Sequence, residues 1–235
     1  MSANLTLYAV NATLRTKAIL ETATRDFIKS GRPITSEYLY ETYDFGIKPA
    51  TIRLELSALA EDGYFYQNHP SGGRYPTNKA YEIFVGMLMR GTADRVAKNM
   101  LAFAESFISE ERGDFIEELA GRFGVLSVGR DTHGIYVSSL HDFLDRVEVR
   151  EKGDLIDIVH DCELLPECLL EHANELLKET PRVFIGSSPF VRNDDTSVVA
   201  GSFQNGTFIL AMVGPKRMDY AKSIALFRSL AEVLG

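Results

Sequence analysis

Between Pro33 and Thr77 the chain spaces its helix breakers and caps so closely that few architectures satisfy them all. Thr35 or Ser36 is placed to cap a first short helix by accepting an orphan backbone N–H. Gly46 permits the φ > 0 conformation that a sharp interhelical turn requires. Pro49 suits the first turn of the next helix, where its missing N–H costs nothing. Gly63 closes that helix, and Gly72-Gly73 mark the tip of a short hairpin beside Arg74. The order predicts a winged helix-turn-helix: helices over about 35–43 and 49–62, then wing strands over 64–67 and 74–75. Such a unit binds double-stranded DNA by laying its second helix in the major groove.

A formal net charge of −8 over the 235 residues at first opposes that expectation. Its distribution answers the objection. Residues 1–91 hold ten Lys/Arg and nine Asp/Glu, whereas residues 92–235 hold fifteen and twenty-four. The acidic excess lies outside the proposed reading head. A near-neutral head has modest non-specific affinity, because phosphate neutralisation supplies most of that energy. Tight binding then calls for a dimer. With 45% hydrophobic residues the chain can bury one or two cores. It shows no stretch of the ~18 apolar residues that span a membrane and no signal-peptide core. Two cysteines, Cys162 and Cys168, make no disulfide framework, so a reducing cytoplasm is expected.

Two domains are expected, 1–91 and 92–235. In the first, residues 13–30 carry a helical apolar stripe, and Thr77 caps a further helix whose Ala80, Tyr81, Phe84, Val85 and Leu88 share one face. Residues 93–120 continue as helix with a break near Gly113. Beyond Gly121 the texture is α+β. Strands are predicted at Val125–Val128, Ile135–Val137, Val147–Val149, Val183–Ile185, Ser197–Phe203 and Thr207–Val213. Asn205-Gly206 marks a hairpin between the last two. Helices are expected over Leu164–Lys178, with Pro166 in the first turn, and over 216–234.

Successive 100° steps along the second helix place Ile52, Leu56 and Leu59 inward. Ala50, Leu54, Ser57 and Ala58 then face outward, with Thr51 and Arg53 on the flanks. Arg53 reads as a phosphate or base contact, or as an ion-pair partner of Glu37, Glu41 or Asp62. Arg74, at the tip of the wing, reaches the minor groove or phosphate, and Gly72 and Gly73 allow close backbone approach. His69 and Ser71 either contact phosphate or shape the wing. Elsewhere, His160, Cys162, Cys168 and His172 invite a zinc reading, but C-x5-C is not the usual structural spacing. His141-Asp142 and His160-Asp161 suggest a metal hydrolase only weakly. Arg217 and Asp219 read either as a site or as dipole-complementing residues at a helix start. No cofactor, metal or catalysis is called for.

The chain resembles the heat-inducible transcription repressor HrcA family. The resemblance rests on Pro49-Ala50-Thr51-Ile52-Arg53, then Glu55, then Gln67, His69, Ser71, Gly73-Arg74 and Pro76-Thr77. It returns with Gly214-Pro215 and Arg217-Met218-Asp219-Tyr220. Residues 13–90 and 181–235 are covered well, whereas 92–180 match poorly and the chain is shorter than a typical member. The resemblance implies a homodimeric repressor with a winged helix and a GAF-like C-terminal domain. It would bind an inverted-repeat operator, release it on heat stress and depend on a GroEL-type chaperonin. The missing length implies that the family's inserted dimerisation segment is reduced or absent. Two departures stand out: Leu54 where the family usually has Asn, and Lys48 where it has a serine cap. Asn pairs with adenine through two hydrogen bonds worth ~1–3 kcal/mol of discrimination, whereas Leu touches only a thymine methyl. The alternative is a ligand-responsive winged-helix regulator with a metabolite pocket in its C-terminal domain.

Overall fold

The computed structural model describes residues 2–69, 72–91, 94–147, 152–177 and 180–235, which fall into two compact units, 1–87 and 88–235. In the first, α1 (Ser2–Ser30) ends at Gly31, whose φ of 65° lets its N–H reach the Phe27 carbonyl at 2.8 Å. Helix α2 (Ser36–Thr42) is capped by Thr35, whose Oγ1 accepts the Tyr38 N–H at 3.1 Å. Helix α3 (Pro49–Glu61) carries Pro49 in its first turn. After it, Gly63 turns the chain at φ 78° while the Tyr64 N–H returns to the Leu59 carbonyl. Strands β1 (Phe65–Tyr66) and β2 (Tyr75–Pro76) pair antiparallel, with the Tyr66 and Tyr75 rings stacked 5.3 Å apart. Helix α4 (Asn78–Arg90) follows. Thr77 starts it with a backbone carbonyl and donates its hydroxyl to the carbonyls of Gly63 and Tyr64.

Ile19, Leu20 and Ala23 of α1, Leu39 of α2, Ile52, Leu56 and Leu59 of α3, and Phe65 of β1 form one apolar cluster. Burying side chains of this size gives about 1.5–3 kcal/mol each, which seats α3 on a fixed face.

The second unit begins with α5 (Asp94–Ser109) and α6 (Arg112–Phe123). The break between them lies at Glu110–Glu111, so Gly113 sits inside α6 rather than at the interruption. A first-turn position tolerates glycine, because few intrahelical bonds depend on it. Strands β3 (Leu126–Arg130) and β4 (Ile135–Val137) precede the short α7 (His141–Leu144). The predicted Val147–Val149 strand falls largely outside the described residues. Helix α8 (Lys152–Glu171) and the single turn α9 (Ala173–Leu176) lead into β5 (Arg182–Ile185), β6 (Thr196–Phe203), β7 (Phe208–Pro215) and α10 (Tyr220–Leu234).

The five strands form an antiparallel sheet in the order β4-β3-β7-β6-β5. Central β6 and β7 are buried almost throughout, as a sheet covered on both faces demands. One face carries Val128, Val198, Ala200, Ile209 and Ala211 against Phe143, Ile158, Cys162 and Leu165. The other meets aromatics of the remaining helices, Phe107 on Phe208 at 4.6 Å and Phe227 on Phe203 at 5.9 Å.

Pro166 is not in a first turn, as its sequence position suggests, but deep inside the 20-residue α8. An interior proline costs ~3 kcal/mol or more. Ile158, Cys162, Leu165 and Leu169 flank it, each no more than 4% exposed. Their burial, at about 1.5–3 kcal/mol per large apolar side chain, outweighs that cost.

Candidate nucleic-acid interface

Helix α3 is held from behind by charge as well as by apolar burial. Glu55 accepts from the Arg15 Nη2 at 2.7 Å and from the Thr16 hydroxyl, fastening α3 to α1. Asp26, 5% exposed, accepts the hydroxyls of Tyr38 at 2.9 Å and Tyr43 at 2.8 Å, fastening α2 and the following turn to α1. That carboxylate hydrogen bond, with burial, pushes the Tyr43 phenol up to about 12. Hydrogen bonds to a charged group contribute about 1.5–3 kcal/mol each, so these clamps fix the exposed face with little play.

Ile52, Leu56 and Leu59 face inward at 0%, 0% and 3% exposure, as the 100° steps require. Lys48, Ala50, Arg53 and Leu54 face solvent, Leu54 at 70%, while Thr51 and Ser57 are half-buried. None of Glu37, Glu41 and Asp62 forms an ion pair with Arg53 among the described residues. Lys48 precedes α3 without a side-chain capping bond. The outer surface of the helix therefore offers two unneutralised cations, a partly open hydroxyl and an apolar side chain.

Arg74 departs from the sequence expectation. It is not at the hairpin tip but at its base, 7% exposed, where it exchanges backbone hydrogen bonds with Ile34 at 2.8 and 2.9 Å. Its Nη2 donates to the Ser57 hydroxyl at 2.9 Å, and that hydroxyl donates to the Arg53 carbonyl. The Arg74 Nε, buried, has no partner. Burial, then the neighbouring Arg53 charge, pushes the guanidinium down from its ordinary value. Arg74 thus ties the hairpin to the outer side of α3, and Ser57, expected to face outward, serves as its acceptor.

The loop itself is closed by the Gly72 N–H on the His69 carbonyl at 2.9 Å and by the Gln67 amide on the Gly72 carbonyl at 2.6 Å. His69 and Gly72 are exposed. A Cβ on Gly73 would stand 2.8 Å from Pro33, so a side chain does not fit there. Ser71 lies outside the described residues. Asp26 and Gln67 do positional work that spacing alone did not assign; a lone acid opposite two tyrosines has no helical signature.

The zinc and hydrolase constellations disperse. Cys162 is buried, and burial followed by Asp161 and Glu163 pushes its thiol up to about 12, opposite to what a thiolate ligand needs. Asp161 accepts the backbone N–H groups of Arg192 and Asn193 at 2.7 and 2.9 Å, while His172 meets Glu175 at 3.2 Å. Among the described residues no group of three or more His, Cys, Asp or Glu is placed to hold a metal ion, and no helix is long and apolar enough to cross a membrane.

A solved hypothetical protein superimposes with a TM-score of 0.65 over 93% of this chain and 98% of its own, at 15% identity. That likeness places the chain among proteins of this mixed helix-and-strand fold. Residues 79–224 match the model described as the HrcA protein C terminal domain, and the chain belongs to that family. It is 44% identical over 70 residues to the heat-inducible transcription repressor HrcA of Frankia casuarinae, a span of 30% of this chain and 21% of that protein. The HrcA of Roseiflexus castenholzii is 45% identical over 78 residues, 33% of this chain and 22% of that one. The chain thus spans about a fifth of the length of the curated relatives it matches.

Proposed function

We propose that the chain is a sequence-specific DNA-binding transcription repressor of stress genes, acting without catalysis in the cytoplasm. Residues 1–91 form a winged helix-turn-helix and residues 92–235 a GAF-like regulatory and dimerisation domain. The single observation that carries the reading is the outer face of α3, where Lys48 and Arg53 stand exposed on a helix clamped from behind by Glu55. Rigid placement matters because a groove contact must be held in register before DNA arrives. Two short strands after α3, looped through His69 and Gly72, supply the wing. The sheet order β4-β3-β7-β6-β5 supports the GAF-like reading of the second unit.

Contacts divide by chemistry. Arg53 and Lys48 meet phosphate or base edges, Thr51 donates a hydroxyl, and Ala50 and Leu54 offer apolar contact to thymine methyls. His69, Ser71, Gly72 and Gly73 bring the wing backbone to the flanking phosphates, with Arg74 and Ser57 holding the wing in place. Leu54 gives the operator a different preferred base from that expected with Asn. A near-neutral head calls for two copies to bind tightly, and the homodimer on an inverted repeat rests on the family relation. Strand β4, at the sheet edge with Ile135 and Val137 exposed, supports a self-associating second unit. Heat release and a GroEL-type chaperonin partner rest on the family relation.

Selection from random DNA, followed by footprinting, tests the reading. An inverted repeat with half-sites about one helical turn apart is the expected outcome. Failure to enrich any sequence would refute it.

A further inference from the structure

In the second unit, the end of α6, the α7 corner and the turn before α10 enclose a cavity of about 210 Å³ lined by Arg122, Arg146, Arg217, Lys222, Asp219 and Met218, among others. Four of the fifteen Lys/Arg of residues 92–235 converge here, in a segment where twenty-four acids prevail. Asp219 is the one acid of the lining, and its carboxylate caps α10 by accepting the Lys222 N–H at 3.0 Å.

The cations are aimed by local structure. Helix α6 ends at Gly124 in the left-handed conformation, φ 64°, and the Arg146 side chain lies over that glycine where any Cβ would collide. The Arg146 Nη1 reaches the Phe123 carbonyl at 3.4 Å. The Lys222 Nζ lies 4.6 Å from the Phe123 ring centre and 3.3 Å from the Arg122 carbonyl. Arg122 rests on the Phe103 ring and faces the exposed Glu118 at 3.6 Å. Carbonyls and a ring face orient Arg146 and Lys222 without neutralising them, and Arg122 keeps a partly exposed ion pair with Glu118. Burial, then the Arg122 charge, pushes the Lys222 ammonium down, with Arg146 adding to the effect and Asp219 opposing it. Like charges held around one concavity repel, and an anion between them removes that cost. The cavity also opens beside the first turn of the 15-residue α10, whose N-terminal dipole favours the same sign.

We propose that this pocket binds a compact, multiply charged oxyanion, either a small phosphate compound or a small polycarboxylate. Size sets the class: 210 Å³ lies below the ~300–1,000 Å³ of pockets for drug-sized ligands. The volume suits an anion of several heavy atoms. Recognition comes from bidentate guanidinium forks on the oxygens, with Lys222 as a point charge.

Calorimetric titration of the full chain with pyrophosphate, and separately with citrate, tests the proposal. Saturable one-to-one binding of either anion is expected, and the preferred one distinguishes phosphate from carboxylate. Lys222→Met should weaken it about tenfold, the size of one lost charge-assisted hydrogen bond. Arg122→Gln, an exposed change that leaves the fold intact by circular dichroism, should weaken it in the same direction. Arg192→Gln, exposed and outside the pocket, should bind as the unaltered chain does. The proposal is overturned if neither anion saturates below about 10 mM, if the pocket variants bind normally, or if Arg192→Gln weakens binding equally. These outcomes are independent of DNA binding, so either reading can fail alone.

Discussion

Truncating Arg53 to alanine isolates the proposed groove contact from the fold. The side chain is exposed and joins none of the ion pairs among the described residues, and only its backbone carbonyl is used, by Ser57. Alanine also favours helix more than arginine by a few tenths of a kcal/mol. Stability should therefore move by less than ~0.5 kcal/mol, as for other surface changes. Affinity should not be spared. A guanidinium reading a base edge contributes ~1–3 kcal/mol, and one on phosphate adds about 0.9 to the slope of log Kobs against log salt. Per half-site that predicts a loss of roughly five- to hundredfold, or a slope shallower by about one. A dimer on an inverted repeat doubles the exponent. Fluorescence anisotropy on the selected operator, repeated across salt concentrations with Lys48→Ala beside it, measures both quantities. If both variants keep the unaltered affinity and slope, α3 does not enter the groove and the reading-head model is wrong.

Asp26→Asn should destabilise the first unit by about 1–3 kcal/mol, seen as a lower urea midpoint, because two tyrosine hydroxyls lose a charged acceptor. The same clamp has a pH signature. Folding favours the protonated Tyr43 phenol, so its contribution is complete below about pH 10 and is lost as pH climbs through about 12. Absorbance titration of tyrosinate should show a late component that moves toward 10 in Asp26→Asn, with Tyr38, raised by the same carboxylate, shifting in the same direction. Gly73→Ala forces a Cβ to within 2.8 Å of Pro33 and should cost ~1–3 kcal/mol by overpacking, lowering the melting temperature by at least about 4 °C. Gly113→Ala, with nothing within 4 Å in α6, should leave stability unchanged or raise it by up to ~1 kcal/mol. Cys162 should resist thiol reagents at pH 8 in the native chain, with release only on unfolding, whereas rapid modification would contradict its burial.

Local chemistry was legible wherever one residue type decides the backbone. Thr35, Gly46, Pro49 and Gly63 each mark the boundary they suggest, and Asn205-Gly206 turns between β6 and β7 with φ of 54° and 93°. The inward face of α3 followed from 3.6-residue periodicity because one core lies behind it. What failed depended on contacts distant in sequence. Pro166 reads as a helix start until the buried positions on both sides of it, Ile158 to Leu169, are seen to share one face. The break expected near Gly113 lies two residues before it, at Glu110–Glu111, which contains neither glycine nor proline. The four-cation pocket assembles from three separate stretches, and no spacing rule joins Arg122, Arg146 and Lys222.

Arg74 shows why the distinction matters for function. Adjacent glycines mark a hairpin tip, and an arginine beside them reads as a contact. Pairing with Ile34, forty residues earlier in the chain, instead draws it to the base and buries it against Ser57. A buried guanidinium with one unpartnered Nε is costly, and removing it would leave Ser57 without its donor and the hairpin without its tie. Weakened DNA binding in Arg74→Ala would therefore follow from a displaced wing as readily as from a lost phosphate contact. Arg53, exposed and unpaired one helical turn before Ser57, carries no such ambiguity. On the proposed reading the two arginines have separable roles, Arg74 keeping hairpin and helix in fixed relation and Arg53 meeting DNA, and an approaching phosphate would relieve the repulsion between them.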